Sequence, residues 1–195
     1  MPATESPEFD TRAPITSALA VIRAVLFSPR RFYANFSPEG PLREPALFAL
    51  LVGAVTGVLT ALVAVVSNLL FGEVSLSGIG LTALEAVVFA LLSPVAVGVV
   101  AGVYLLSIRT FVGKMSGFRE VYRMAAYAFG VLILSWIPIL GAFAVTYALM
   151  VVMGVAVRTV YRTSFLTALV TALVAFVPVA MALIFLRVTT AGLAS

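Results

Sequence analysis

Eleven of the twelve Lys and Arg residues in this chain fall on one side of a five-segment apolar pattern. Runs without a charged residue cover Pro45–Gly72, Ala86–Ile108, Met124–Val157 and Thr163–Leu186. Each exceeds the roughly 20 apolar residues needed to cross a bilayer's hydrocarbon. Assigning the segments between them alternately to two sides groups Arg12, Arg23, Arg30, Arg31, Arg43, Arg109, Lys114, Arg119, Arg123, Arg158 and Arg162, and leaves Arg187 alone opposite. Basic residues mark the cytoplasmic side. The pattern therefore predicts a multi-pass protein of the cell (plasma) membrane, with the N-terminus cytoplasmic and the C-terminus extracytoplasmic.

Composition supports that reading. A mean hydropathy of +1.18 and a 63% hydrophobic content place more apolar surface in the chain than a soluble domain keeps out of water. The net charge of +4 sits beside the spans, where anionic lipid is the natural counter-charge, so nucleic acid is not an expected partner. Cysteine and histidine are both absent. That removes thiolate nucleophiles, disulfides and the commonest general base and metal ligand; no cofactor and no metal site are expected.

The Met124–Val157 run fixes the number of passes. As one helix it would be roughly 51 Å long, too long for about 30 Å of hydrocarbon. Trp136-Ile137-Pro138-Ile139-Leu140-Gly141 lies at its middle, and Pro and Gly stop helices while Trp favours the interface. Splitting the run there gives five spans, at about 46–70, 81–107, 120–137, 140–157 and 164–186. The expected fold is an all-α polytopic integral membrane protein with five transmembrane helices and one or two N-terminal interfacial amphipathic helices. Residues 1–14 read as a disordered cytoplasmic tail, with acidic residues where a signal peptide would be basic, and 15–195 as a single membrane domain.

Ile15, Ala18, Leu19, Ile22, Val25 and Leu26 share one face at helical spacing after Pro14, predicting a short helix in the interface plane. Ser28 and Pro29 suit the start of a second helix. There Phe32, Tyr33 and Phe36 would face the membrane while Arg30 and Arg31 reach phosphates. Ser37-Pro38-Glu39-Gly40-Pro41 breaks it.

Catalysis needs acids, bases or nucleophiles held at a cost near hydrocarbon depth. The apolar runs hold no Asp, Lys, Arg or His, Ser93, Ser135, Thr56 and Thr146 have no base to activate them, and Glu85 is the only acid near a span; no enzyme is expected. The recognition surface this leaves is the basic, aromatic cytoplasmic rim. Its candidate lipid- or partner-binding residues are Arg30, Arg31, Phe32, Tyr33, Arg119, Tyr122 and Arg123. Membrane lipids, anionic ones included, and a membrane or peripheral protein are the expected partners. Small-residue faces at Gly53/Gly57 and Gly98/Gly102 allow close helix approach, within the chain or in a homo-oligomer. The alternative to a lipid-organising or docking protein is a small permease or channel subunit, suggested by Pro94 and Pro178 in antiparallel spans and Glu85 near one mouth.

The chain resembles the Yip family, the Ypt/Rab-interacting five-span membrane proteins, in its prokaryotic branch. The resemblance is carried by Ser28-Pro29 with Phe32-Tyr33, Gly40 to Pro45, Gly113-Lys114-Met115-Ser116-Gly117-Phe118-Arg119-Glu120 with Arg123 and Tyr127, Trp136 to Gly141, and Gly154 with Arg158. It implies an adaptor-like membrane protein, since eukaryotic members resemble adaptors for Rab-type GTPases in vesicle traffic and membrane shaping. The Asp-Leu-Tyr-Gly type motif of eukaryotic members is missing before the first span, and no residue inherits a catalytic or binding role.

Overall fold

A computed structural model describes residues 7–71, 76–114 and 116–193, and every regular element among them is helical. Pro14 opens α1 (Pro14–Phe27) and Pro29 opens α2 (Pro29–Ala34), each filling a first-turn position whose N–H would lack a partner. Between them the Ser28 N–H donates to the Ala24 carbonyl at 2.9 Å while its own carbonyl accepts from Phe32 at 3.0 Å. The Ser28 side chain makes no cap hydrogen bond; the backbone alone joins the two helices.

Among the described residues four helices are long and apolar enough to cross a membrane: Arg43–Phe71, Gly78–Phe111, Ile139–Val160 and Phe165–Phe185. The first is α3 (Arg43–Phe71), and the second lies in α4 (Leu76–Phe111). The third combines α6 (Pro138–Thr146), a π-helical segment (Tyr147–Val152) and α7 (Met153–Val160), and the fourth lies in α8 (Phe165–Leu193). Between α4 and α6 the chain passes through α5 (Phe118–Phe129) and a 3-10 segment (Gly130–Leu134), together roughly 28 Å long at the rises of the two helix types. This unit runs in the same sense as α3. Tyr127 stacks edge-on to Phe48 at 5.5 Å, and Thr56 Oγ1 donates to the Leu132 carbonyl at 3.2 Å. At the end of this unit Ile137 turns the chain and Pro138 starts α6.

α5 is the axis of the fold. Every residue from Val121 to Ala128 is buried, enclosed by α3, α4, α7 and the N-terminal helices. The core extends from it through Phe32, Tyr33, Phe48, Tyr104, Ile108, Met153 and Val157, the half of the bundle next to α1 and α2. In the other half the apolar side chains point outward, from Val58, Leu62, Leu69 and Leu70 on α3 to Leu183, Ile184 and Phe185 on α8. Such a belt belongs in lipid. The chain is an integral membrane protein.

Two prolines lie inside long helices, Pro94 in α4 and Pro178 in α8. A proline cannot donate to the carbonyl four residues earlier. At Pro94 that carbonyl belongs to Ala90, and the Ser93 hydroxyl is placed to serve it at 2.8 Å and Ala49 across the interface at 2.9 Å.

The tail expected to be disordered through residue 14 is packed over residues 7–13. Phe9 is buried, with its ring edge-on to Phe48 at 5.7 Å, and Ser17 Oγ donates to the Asp10 carbonyl. Residues 1–6 lie outside the described part of the chain.

Candidate lipid- and partner-facing surface

The seven residues singled out at the rim separate into two groups. Phe32 and Tyr33 were expected against the membrane, but α2 turns them into the protein, where each is 2% exposed. Phe32 packs on Tyr127 at 5.6 Å. The Tyr33 hydroxyl crosses to the Met124 carbonyl of α5 at 2.9 Å. Burial, reinforced by neighbouring Tyr127, raises the Tyr33 phenol above its ordinary range, so it serves as a neutral donor. Tyr122 is also buried, and its hydroxyl donates to the Pro94 carbonyl at 3.1 Å.

Arg123 is the largest correction. It was expected beside Arg119 on the rim, one helical turn away. It is 1% exposed. The Ser37–Pro41 breaker closes over it: Nε donates to the Ser37 carbonyl at 3.3 Å and Nη1 to the Pro41 carbonyl at 3.1 Å. Nη2 pairs with the Glu8 carboxylate at 3.0 Å, and the guanidinium lies over the Phe36 ring at 5.8 Å. Gly40 allows the wrap. Its φ is +151°, and a Cβ there would sit 2.5 Å from Arg123 Nη1. Arg119, one turn earlier, projects past this loop and is exposed.

Arg30, Arg31 and Arg119 remain on the surface, with Arg12, Arg23, Arg43, Arg109, Lys114, Arg158 and Arg162 also exposed. Several of these tie the chain together. Arg109 Nη2 donates to the Ser116 carbonyl at 3.1 Å and Lys114 Nζ to the Tyr161 carbonyl at 2.9 Å, joining the loops after α4 and α7. Arg158 stacks over Phe165.

One element of this surface escaped the sequence reading. Ile15, Leu19, Arg23 and Phe27 recur every fourth residue along α1 and are all exposed, the three apolar ones at 69%, 62% and 79%. The opposite face, Ala18, Val21 and Val25, is buried in the protein. The predicted single apolar face is two: an inner one for the core and an outer ridge with an arginine set into it. The four-residue spacing is the available signal, but Phe27 lies well outside the arc shared by Ile15, Leu19 and Ile22. Tyr147, in the π-helical segment, fixes this helix by donating to the Leu26 carbonyl at 3.0 Å.

The small-residue faces are used unequally. A Cβ on Gly57 would meet the Ala86 carbonyl at 2.9 Å, and one on Gly53 would meet Ser93; these glycines seat α4 against α3 within the chain. A Cβ on Gly102 would meet nothing within 4 Å.

An α-helical bundle with a lipid-facing apolar belt, two short helices folded against one end and exposed arginines around that end defines a polytopic membrane protein that presents a basic surface. The profile described as the Yip1 domain matches residues 23–187, and the chain belongs to that family. The matched region begins within α1 and ends within α8, so it takes in the whole bundle. No curated protein and no solved structure matches the chain.

Proposed function

We propose that this protein is a non-enzymatic member of the Yip family that gathers anionic lipid at the cytoplasmic leaflet through α1, α2 and the start of α5, and presents that surface to peripheral proteins. The observation that carries the reading is the Ile15–Leu19–Phe27 ridge with Arg23 set into it, followed in the chain by exposed Arg30 and Arg31 on α2, with Arg119 exposed at the start of α5. An uncovered apolar ridge with arginines at its border suits the interface plane, where aliphatic groups enter the acyl boundary and guanidinium groups meet phosphates. Phe32, Tyr33 and Arg123 then act behind the surface, holding α2 and the 37–41 loop in place, while Tyr122 ties α5 to α4.

The test is lipid enrichment around the protein in nanodiscs of mixed phosphatidylcholine and phosphatidylglycerol. Arg23, Arg30 and Arg119 changed together to Gln should lower phosphatidylglycerol enrichment by about 1 kcal/mol per charge, with the loss masked by high salt. Full enrichment in the triple variant at low salt would leave these arginines as topology signals only.

A transport role draws on a cavity beside Glu85. Its far end is lined by Val97, Val100, Ala125, Ala128 and Met153, which offer a solute no polar route onward. The lipid-organising reading is therefore preferred.

A further inference from the structure

At the end of the bundle away from the N-terminal helices lies a second feature, which the reading above does not use. A cavity of about 580 Å³ opens between α3, α4, α5 with its 3-10 segment, α6 with its π-helical segment, and α8. That is within the roughly 300–1,000 Å³ range of small-molecule sites. Its lining is polar at one end and apolar at the other. Thr56 and Thr60 of α3, Thr82 and Glu85 of α4, and Ser135 after the 3-10 segment surround the outer end. Toward the core the walls are Val97, Val100, Ala125, Ala128 and Met153. Glu85 and Val100 lie on the same helix, roughly 22 Å apart at helical rise, so the well is deep as well as graded.

Glu85 has no ion-pair or hydrogen-bond partner among the described residues, and Thr60 is likewise unengaged. The Thr56 and Ser135 hydroxyls both donate to the Leu132 carbonyl, and Thr82 donates to Gly78. Each hydroxyl therefore turns its acceptor lone pairs, not its proton, toward the cavity. With Thr60, whose free hydroxyl can also accept, the carboxylate and hydroxyl oxygens make an acceptor-rich mouth above an apolar well. An uncompensated carboxylate inside a membrane span is costly, and a donor-rich cation is the group that relieves it.

We infer that this cavity binds an amphiphile whose headgroup is a cationic amine. The ammonium sits among Glu85, Thr60 and Thr82, and the hydrocarbon chain lies in the well. Length, graded polarity and charge complementarity agree on that occupant, whereas a fatty acid or a phosphatidylglycerol would bring an anion to Glu85.

The test uses the full chain purified in neutral detergent and incubated with hexadecylamine, hexadecanol, phosphatidylethanolamine or phosphatidylglycerol. Retained molecules are counted by native mass spectrometry. Hexadecylamine should be retained about tenfold more than hexadecanol, the increment expected of a charge-assisted hydrogen bond. Glu85→Gln should abolish that preference and leave hexadecanol unchanged. Because Glu85 is exposed, the isosteric variant has no packing to lose. Val100→Phe, at the closed end, should lower retention of hexadecylamine relative to octylamine. Phosphatidylethanolamine displacing hexadecylamine would identify a membrane phospholipid as the source of the amine; failure to displace it would identify a single-chain amine. Equal retention of amine and alcohol by the wild-type chain, or an amine preference that survives Glu85→Gln, overturns the inference.

Discussion

Arg123 Nη2 meets the Glu8 carboxylate at 3.0 Å across 115 residues of sequence. Two distant segments converge on that guanidinium, Glu8 and the 36–41 stretch, where Ser37 and Pro41 lend carbonyls and Phe36 lends its ring face. A buried arginine is tolerated only when its donors are occupied. Arg123→Ala should destabilise the protein by about 3–5 kcal/mol, since it leaves two loop carbonyls and a partly buried carboxylate without their donor. Glu8→Gln should cost about 1–2 kcal/mol, as the guanidinium keeps its carbonyl partners. Denaturant titration in mild detergent of both singles and the double would read the coupling. Additive losses would show that the pair does not act as a unit.

The aromatic residues of α2 and the ridge of α1 should respond in opposite ways. Phe32→Ala opens a cavity in the core and should cost about 3–5 kcal/mol, while Tyr33→Phe loses one hydrogen bond for about 1 kcal/mol. Leu19→Ala and Phe27→Ala should shift stability in detergent by only about 0.5 kcal/mol. In nanodiscs, however, they should raise the labelling of a cysteine placed at Thr16 by a water-soluble thiol reagent. Thermal melting and labelling rates separate the two classes. Substantial unfolding by Phe27→Ala would show that the ridge supports the core instead of the lipid contact.

Glycine substitutions map the α3–α4 contact. Gly57→Val drives a side chain into the Ala86 backbone, which cannot swing aside as a side-chain tip would, and should cost about 1–3 kcal/mol. Gly102→Ala enters open space within a helix and should be neutral or stabilising by up to about 1 kcal/mol. Melting temperatures of the two variants decide the matter. A Gly102→Ala variant as damaged as Gly57→Val would place an unrecognised contact at that face.

Orientation is tested by single cysteines at exposed positions. Ser37 and Ser164 lie on the basic side, and Gly80 and Ile139 on the other. Ser116 is unsuitable because it is buried, so protection there would say nothing about sidedness. In intact cells an impermeant reagent should label Gly80→Cys and Ile139→Cys and spare the other two until the membrane is opened. Labelling of Ser37→Cys without permeabilisation would reverse the assignment.

The architecture was largely legible because hydrophobic length and charge placement are properties of the chain itself. The runs around Pro94 and Pro178, and the break at Trp136–Gly141, follow from spacing alone. The rim was harder to read. Phe32 and Tyr33 are the side chains of an interfacial anchor and equally of a core, and periodicity cannot say which neighbour a helix face will meet. Arg123 looked like Arg119 because the two share a helix face. They differ only in whether the 37–41 loop covers them, a relation set by contacts 82 and 86 residues away in sequence. The four-residue repeat from Ile15 to Phe27 was present in the letters, but its division into inner and outer faces depends on α1 leaning against the 3-10 segment, where Ile22 lies within reach of Gly130.

The bonds that seat the N-terminal helices have an order in time. Glu8, Leu26 and Tyr33 are met by Arg123, Tyr147 and Met124, all 91 to 121 residues later in the chain. At a ribosome's pace of about 5–20 residues per second, several seconds pass before the first of these partners exists. Until then Val21, Val25, Phe32 and Tyr33 have no protein surface to cover them, and the nearest apolar phase is the bilayer itself. During that interval the two helices lack the α5 face that covers them in the folded bundle, and the bilayer is the apolar phase at hand.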